Sequence, residues 1–163
     1  MTETLRRMQK KRAAGESGFT LVELLVVVVI IGVLVAIAVP MYLNYRKGAS
    51  NKSAESDVRA AVSAIEQFYT ENGNTYPANT KSPKAGENIV FDSNPTGAVK
   101  QTGTVSPGNI LAYRLINAST YRICGRNEEG KVNYVYTSAT GGSVKKWGTD
   151  ETKTAQDCAD SDT

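Results

Sequence analysis

The chain has 163 residues, 40% of them apolar, with 19 Lys and Arg against 16 Asp and Glu and no histidine at all. The length suits one domain with an appendage, and the lack of histidine removes the commonest general base and zinc ligand, which counts against an enzyme. Five of the bases and two of the acids fall in residues 1–18, so the 14 bases and 14 acids left beyond them cancel, and no general electrostatic footprint for nucleic acid remains.

Residues 1–18, MTETLRRMQKKRAAGESG, have no apolar period long enough to pack. They read either as a retained basic tail or as a leader that stays in the cytoplasm and is removed, and the sharp break at Gly18–Phe19 favours the leader. Sixteen uncharged residues follow from Leu24 to Val39, with Glu23 immediately before them and Pro40 immediately after. A helix over Phe19–Leu43 would run roughly 37 Å, enough to cross a hydrocarbon core of about 30 Å. Three readings compete for it. It is a plain anchor, or a secretory signal with Ala36-Ile37-Ala38 as its cleavage site, or a helix in which Glu23 has a purpose. A carboxylate in a membrane helix is costly and usually has a partner, which supports the third.

Gly18-Phe19-Thr20-Leu21-Val22-Glu23, followed by the apolar run and Pro40, resembles the class III signal of type IV pilins and their relatives. The resemblance implies that a prepilin peptidase cuts between Gly18 and Phe19 and that Phe19 is then N-methylated. Two departures are a Ser17 before the glycine, where the family often has Lys or Arg, and a long leader. Cleavage creates a positive amine at Phe19, and opposite charges at close range attract strongly where the dielectric is low. The resemblance therefore implies that Glu23 of one subunit pairs with the Phe19 amine of its neighbour and sets register in a filament. The alternative is a carboxylate favoured only by its own helix's N-terminal dipole.

Beyond Pro40 the helix is expected to continue with a kink, because proline removes a donor and leaves the Ala36 carbonyl without its partner. From Ser50 to Asn72 the residues Val58, Ala61, Val62, Ile65 and Tyr69 share one face, and Glu55, Arg59, Ser63, Glu66 and Thr70 the other. Asn72-Gly73 supplies a stop. A single helix over this whole span would be about 80 Å long, so half of it is expected to lie in membrane or filament. Residues 73–108 hold four of the five prolines and read as a long loop with a short strand at Asn88–Phe91. Its opening, Glu71-Asn72-Gly73-Asn74-Thr75-Tyr76-Pro77, also resembles the helix exit of pilins and pseudopilins.

Strands are expected at Ile110–Ile116, Thr120–Arg126, Val132–Ser138 and Val144–Trp147, rich in β-branched residues and tyrosine and joined by short turns. The fold class is therefore α+β, a long N-terminal helix packed by its second half on an antiparallel sheet of about four strands. The organisation is a leader (1–18), a membrane or filament-core helix half (19–43) and a globular part (44–163). If that last part is exported, the even count of cysteines favours a Cys124–Cys158 disulfide over two free buried thiols. The bond would tie down an acidic tail, Asp150–Thr163, that otherwise has little to pack, and in pilins a disulfide-bounded loop, the D-region, holds this place. The tail's Asp150, Glu151, Asp157, Asp160 and Asp162 lack the spacing of a calcium loop, so no metal and no cofactor is expected. Asn51-Lys52-Ser53 and Asn117-Ala118-Ser119 match the N-glycosylation pattern, which is short enough to arise by chance. Arg122, Arg126, Lys131, Lys145 and Lys146 read as the outer face of a sheet or, less favoured, as a DNA-binding face.

The resemblance implies a structural subunit of a type IV pilus, serving adhesion, motility or DNA uptake. Its implied partners are other copies of itself, the prepilin peptidase and methyltransferase, the assembly platform and minor pilins. It implies a single-pass precursor in the inner membrane and a pilus outside the cell. The alternatives are a pseudopilin of a type II secretion or competence system, and a tethered or secreted binding domain with an ordinary signal.

Overall fold

A computed structural model describes residues 19–93, 99–148 and 150–161. The leader and Gly18 therefore lie outside the described residues, as does Asp162 of the acidic tail. The chain divides into two compact units, up to Tyr42 and from Leu43 onward. Helix α1 (Leu21–Glu71) is continuous through Pro40 and contributes to both. In the first unit every large apolar side chain from Phe19 to Tyr42 is at least 48% exposed. An uncharged stretch this long has no polar face, so nothing in its sequence selects a buried side.

In the second unit the apolar side chains of α1 recur at helical spacing. Ala54, Val58, Ala61, Ile65 and Phe68 are fully buried, and Val62 packs half-buried beside them. They meet a five-stranded antiparallel sheet ordered β1 (Thr80–Lys81), β4 (Asn109–Asn117), β5 (Thr120–Asn127), β6 (Asn133–Thr137) and β7 (Lys145–Trp147). The four expected strands are joined by an edge strand, β1. A separate pair, β2 (Ile89–Asp92) and β3 (Lys100–Gly103), lies in the stretch expected to be mostly loop, and its Ile89 and Phe91 enter the main core. β3, with the sequence Lys-Gln-Thr-Gly, carries no β-branched or aromatic run to announce it.

Both faces of the sheet are covered, so β4 and β5 do not alternate between apolar and polar in the way a one-sided sheet does. Leu111, Tyr113, Tyr121 and Ile123 face α1, while Ala112 and Cys124 face a second layer built from α2 (Ala155–Asp160). That helix corrects the expectation of a tail with little to pack: Ala155, Cys158 and Ala159 are buried. Its start is fixed by a capping box, in which Thr154 Oγ1 accepts from the Asp157 amide and the Asp157 carboxylate accepts from the Thr154 amide.

The helix α1 stops where Gly73 and Asn74 adopt left-handed backbone, at φ 60° and 59°, and the Asn74 amide reaches back to the Tyr69 carbonyl at 3.0 Å. Tyr76 then stacks on Tyr69 at 4.3 Å, and the buried Pro77 offers its carbonyl to the Tyr113 hydroxyl at 3.1 Å. The exit segment thus fastens the end of α1 to β4.

Candidate functional site

The exposed start of α1 holds Phe19, Thr20 and Glu23. Thr20 precedes the first helical turn, and its carbonyl accepts from the Leu24 amide at 3.2 Å. The Glu23 carboxylate accepts from the Thr20 amide at 2.9 Å and from the Thr20 hydroxyl at 2.8 Å, and the Glu23 amide donates to Thr20 Oγ1 at 3.2 Å. These reciprocal bonds form a capping box. Thr20-x-x-Glu23 is legible in the sequence as the Ser/Thr-x-x-Glu pattern, and reading Glu23 only as a charge misses it. In this sequence Phe19 follows Gly18 through a peptide bond and carries no free amine. The carboxylate therefore rests on the amide and hydroxyl of Thr20, and its exposed position leaves it open to a stronger donor. Phe19 is 79% exposed beside it.

The second region is the sheet face under α2, where the structure joins Cys124 to Cys158 with Cα atoms 6.0 Å apart. Arginines on that face grip main-chain carbonyls of the C-terminal segment. Arg114 donates to the Asp160 carbonyl at 2.7 Å, Arg126 to the Glu151 carbonyl, and Arg122 to both the carbonyl and the hydroxyl of Ser161. Asn133 donates to the Lys153 carbonyl at 2.8 Å. The expected basic outer face is corrected accordingly. Arg122 is 7% exposed and occupied, and Arg126 is half-buried, so of the five bases only Lys131, Lys145 and Lys146 lie open. The tail's acids serve as local caps: Asp150 takes the Thr152 amide and hydroxyl, and those bonds hold its carboxyl below the usual range. Among the described residues no group of three or more His, Cys, Asp or Glu side chains converges on a point.

A third arrangement holds α1 against the chain. Glu55, placed on the solvent face by its helical period, is 8% exposed. Its carboxylate bridges Lys52 at 2.8 Å and Arg59 at 2.5 Å, and the Lys52 bond is the main cause of its lowered pKa. Asp57, which nothing local marks out, is equally buried and accepts from the Ser106 amide at 2.6 Å, the Ser106 hydroxyl at 2.9 Å and the Asn109 side-chain amide at 2.6 Å.

Residues 14–39 match the family model described as the prokaryotic N-terminal methylation motif. Over 70 residues the chain is 40% identical to the "Type II secretion system core protein G" of Aeromonas hydrophila, covering 43% of this chain and 46% of that protein. It is 28% identical over 117 residues to the "Type IV major alpha-pilin" of Moraxella bovis, covering 72% of this chain and 73% of the relative. It is 32% identical over 129 residues to a "Type IV major pilin protein PilE1" of Neisseria gonorrhoeae, covering 73% and 56%. The chain thus spans less than half the length of its core protein G relative from Aeromonas hydrophila. A long helix opening on the methylation motif and packed on an antiparallel sheet defines a pilin-like protein. The chain carries the methylation motif and is similar to type IV pilins and to core proteins G of type II secretion. These relatives divide between pili and secretion systems.

Proposed function

We propose that this chain is a structural subunit of a type IV pilus, with no catalytic role of its own. The observation that carries the reading is the pairing, at one exposed helix start, of a carboxylate with an uncharged apolar run whose large side chains are exposed among the described residues. In this reading the prepilin peptidase cuts after Gly18 and Phe19 becomes N-methylated. The new amine of one subunit draws Glu23 of another away from its capping box, so that charge is matched only at the correct axial step. The apolar helix half, Phe19–Leu43, moves from bilayer to filament core, two environments of similar polarity, so the transfer itself costs little. Pro40 gives the helix a place to bend. The precursor sits in the inner membrane and the assembled chain outside the cell, with the assembly platform and minor pilins as its partners.

The pilus is preferred to a pseudopilus because the likeness to major pilins extends over 72–73% of the chain, against 43% for the Aeromonas core protein G. A C-terminal segment held by Cys124–Cys158 also fits the D-region of pilins. The pseudopilin reading keeps one specific support, the higher identity of 40% within those 70 residues. Deleting the chain separates the two. The pilus reading expects surface filaments to vanish in electron micrographs with exoprotein secretion unchanged. Filaments kept and secretion lost would instead make it a pseudopilin.

A further inference from the structure

Two Asn-Xaa-Ser patterns occur in the chain, and the structure treats them differently. Asn51 lies inside α1, where its Oδ1 accepts from the Val132 amide at 3.3 Å. A Cβ placed on Gly130 would come within 2.1 Å of that oxygen, which shows how closely the neighbouring backbone covers it. A helical, packed asparagine cannot be drawn into a transferase without unwinding the helix. Asn117 is the opposite case. It ends β4 at the tip of the β4–β5 hairpin, opposite Thr120 with Ala118 and Ser119 as the turn, and all three of Asn117, Ala118 and Ser119 are exposed. Its Oδ1 accepts from the Ser119 amide at 2.9 Å, an Asx-turn that holds the carboxamide beside the serine. The Asn117 Nδ2 group and the Ser119 hydroxyl have no hydrogen-bond partner among the described residues. The nucleophile and the residue that a transferase reads are therefore free, adjacent and already turned outward at a loop tip.

We propose that Asn117 is an N-glycan acceptor. The co-reactant is an oligosaccharide carried on a polyprenyl pyrophosphate. Nδ2 forms a bond to the sugar's anomeric carbon, the carbon–oxygen bond to pyrophosphate breaks, and the lipid pyrophosphate leaves with the electron pair. The Nδ2 proton passes to a carboxylate of the transferase and then to solvent. The modification adds a bulky polar group at an exposed turn and disturbs no core contact. It rests on the reading that the globular unit is exported.

The test is peptide mass spectrometry on the native chain from the cell envelope. Trypsin cuts after Arg114 and Arg122, so the pattern falls in a single fragment, Leu115–Arg122. The expected result is that most of this fragment carries hexose or N-acetylhexosamine increments. The increments disappear in both Asn117→Gln and Ser119→Ala and persist in Asn51→Gln. The same digest reports methylated Phe19 and the Cys124–Cys158 link. A bare fragment beside methylated Phe19 and a formed disulfide overturns the acceptor and leaves the pilus reading standing. A bare fragment with an intact leader and free thiols overturns both.

Discussion

Glu23 and Thr20 make separable contributions. Glu23→Gln keeps a side chain that can still accept from the Thr20 amide but removes the charge, whereas Thr20→Val keeps the charge and removes the hydroxyl from the capping box. If the neighbour's amine is the partner, the yield of sheared filaments falls at least tenfold in Glu23→Gln and much less in Thr20→Val. Equal yields from Glu23→Gln and the wild type would remove the charge pair from the account. Asp57 presents a different lesson. Its partners Ser106 and Asn109 lie about fifty positions downstream, so no local pattern could announce it. Asp57→Ala leaves the half-buried Ser106 amide without its acceptor and the buried Asn109 carboxamide with Ser53 Oγ alone, and denaturant unfolding of the globular unit is expected to show a loss of about 1–3 kcal/mol. The cysteines, by contrast, were legible from count and compartment alone, and so was the methylation segment from its motif.

Among the elements, α1 and four strands could be read from period and β-branched content, because each carries enough apolar residues to reveal its face. The misreadings share a cause. β3 is polar, β1 is two residues long, and α2 is a single capped turn and a half whose burial depends on the sheet beneath it. Such elements exist because tertiary contacts select them, and only Thr154-x-x-Asp157 leaves a local trace. The contact of α1 with β5 requires Gly125. A Cβ there would stand 2.4 Å from Val58 Cγ2 and 2.7 Å from Leu111 Cδ2. Gly125→Ala is expected to lower stability by about 1–3 kcal/mol through overpacking, measurable as a lower urea midpoint. On the other face, the disulfide closes a sequence separation of 34 residues. A Cys124→Ser, Cys158→Ser double variant should lose about 3–4 kcal/mol in the chain-entropy account. The arginine contacts to main-chain carbonyls remain in that variant, so α2 should keep its place at neutral pH, as read by Trp147 fluorescence, because Trp147 packs in its cluster.

At the scale of the whole molecule, the globular unit has a tyrosine-rich centre that sets an alkaline limit. Tyr113 and Tyr121 have pKa values pushed well above the usual 10.0, chiefly by burial, and Tyr121 further by the Glu66 carboxylate to which it donates at 2.7 Å. A tyrosine protonated in the folded state and ionised in the unfolded one stabilises the unfolded chain as pH rises. Stability is thus full below pH 10.0 and is lost above it, by about 1.4 kcal/mol per pH unit for each such residue. The expected outcome is a steep fall in Tm between pH 10 and 12 that Tyr121→Phe makes shallower. The other unit is defined by what it leaves open: an apolar helix half with one carboxylate at its start whose large apolar side chains are exposed among the described residues. That contrast, a well-filled globular unit joined to an uncovered helix, is the physical basis for reading the protein as an assembly part. Mass spectrometry of filaments sheared from the cell surface tests this most directly. The account predicts abundant chains that begin at N-methylated Phe19, and chains that begin at Val39, or filaments without this protein, would contradict it.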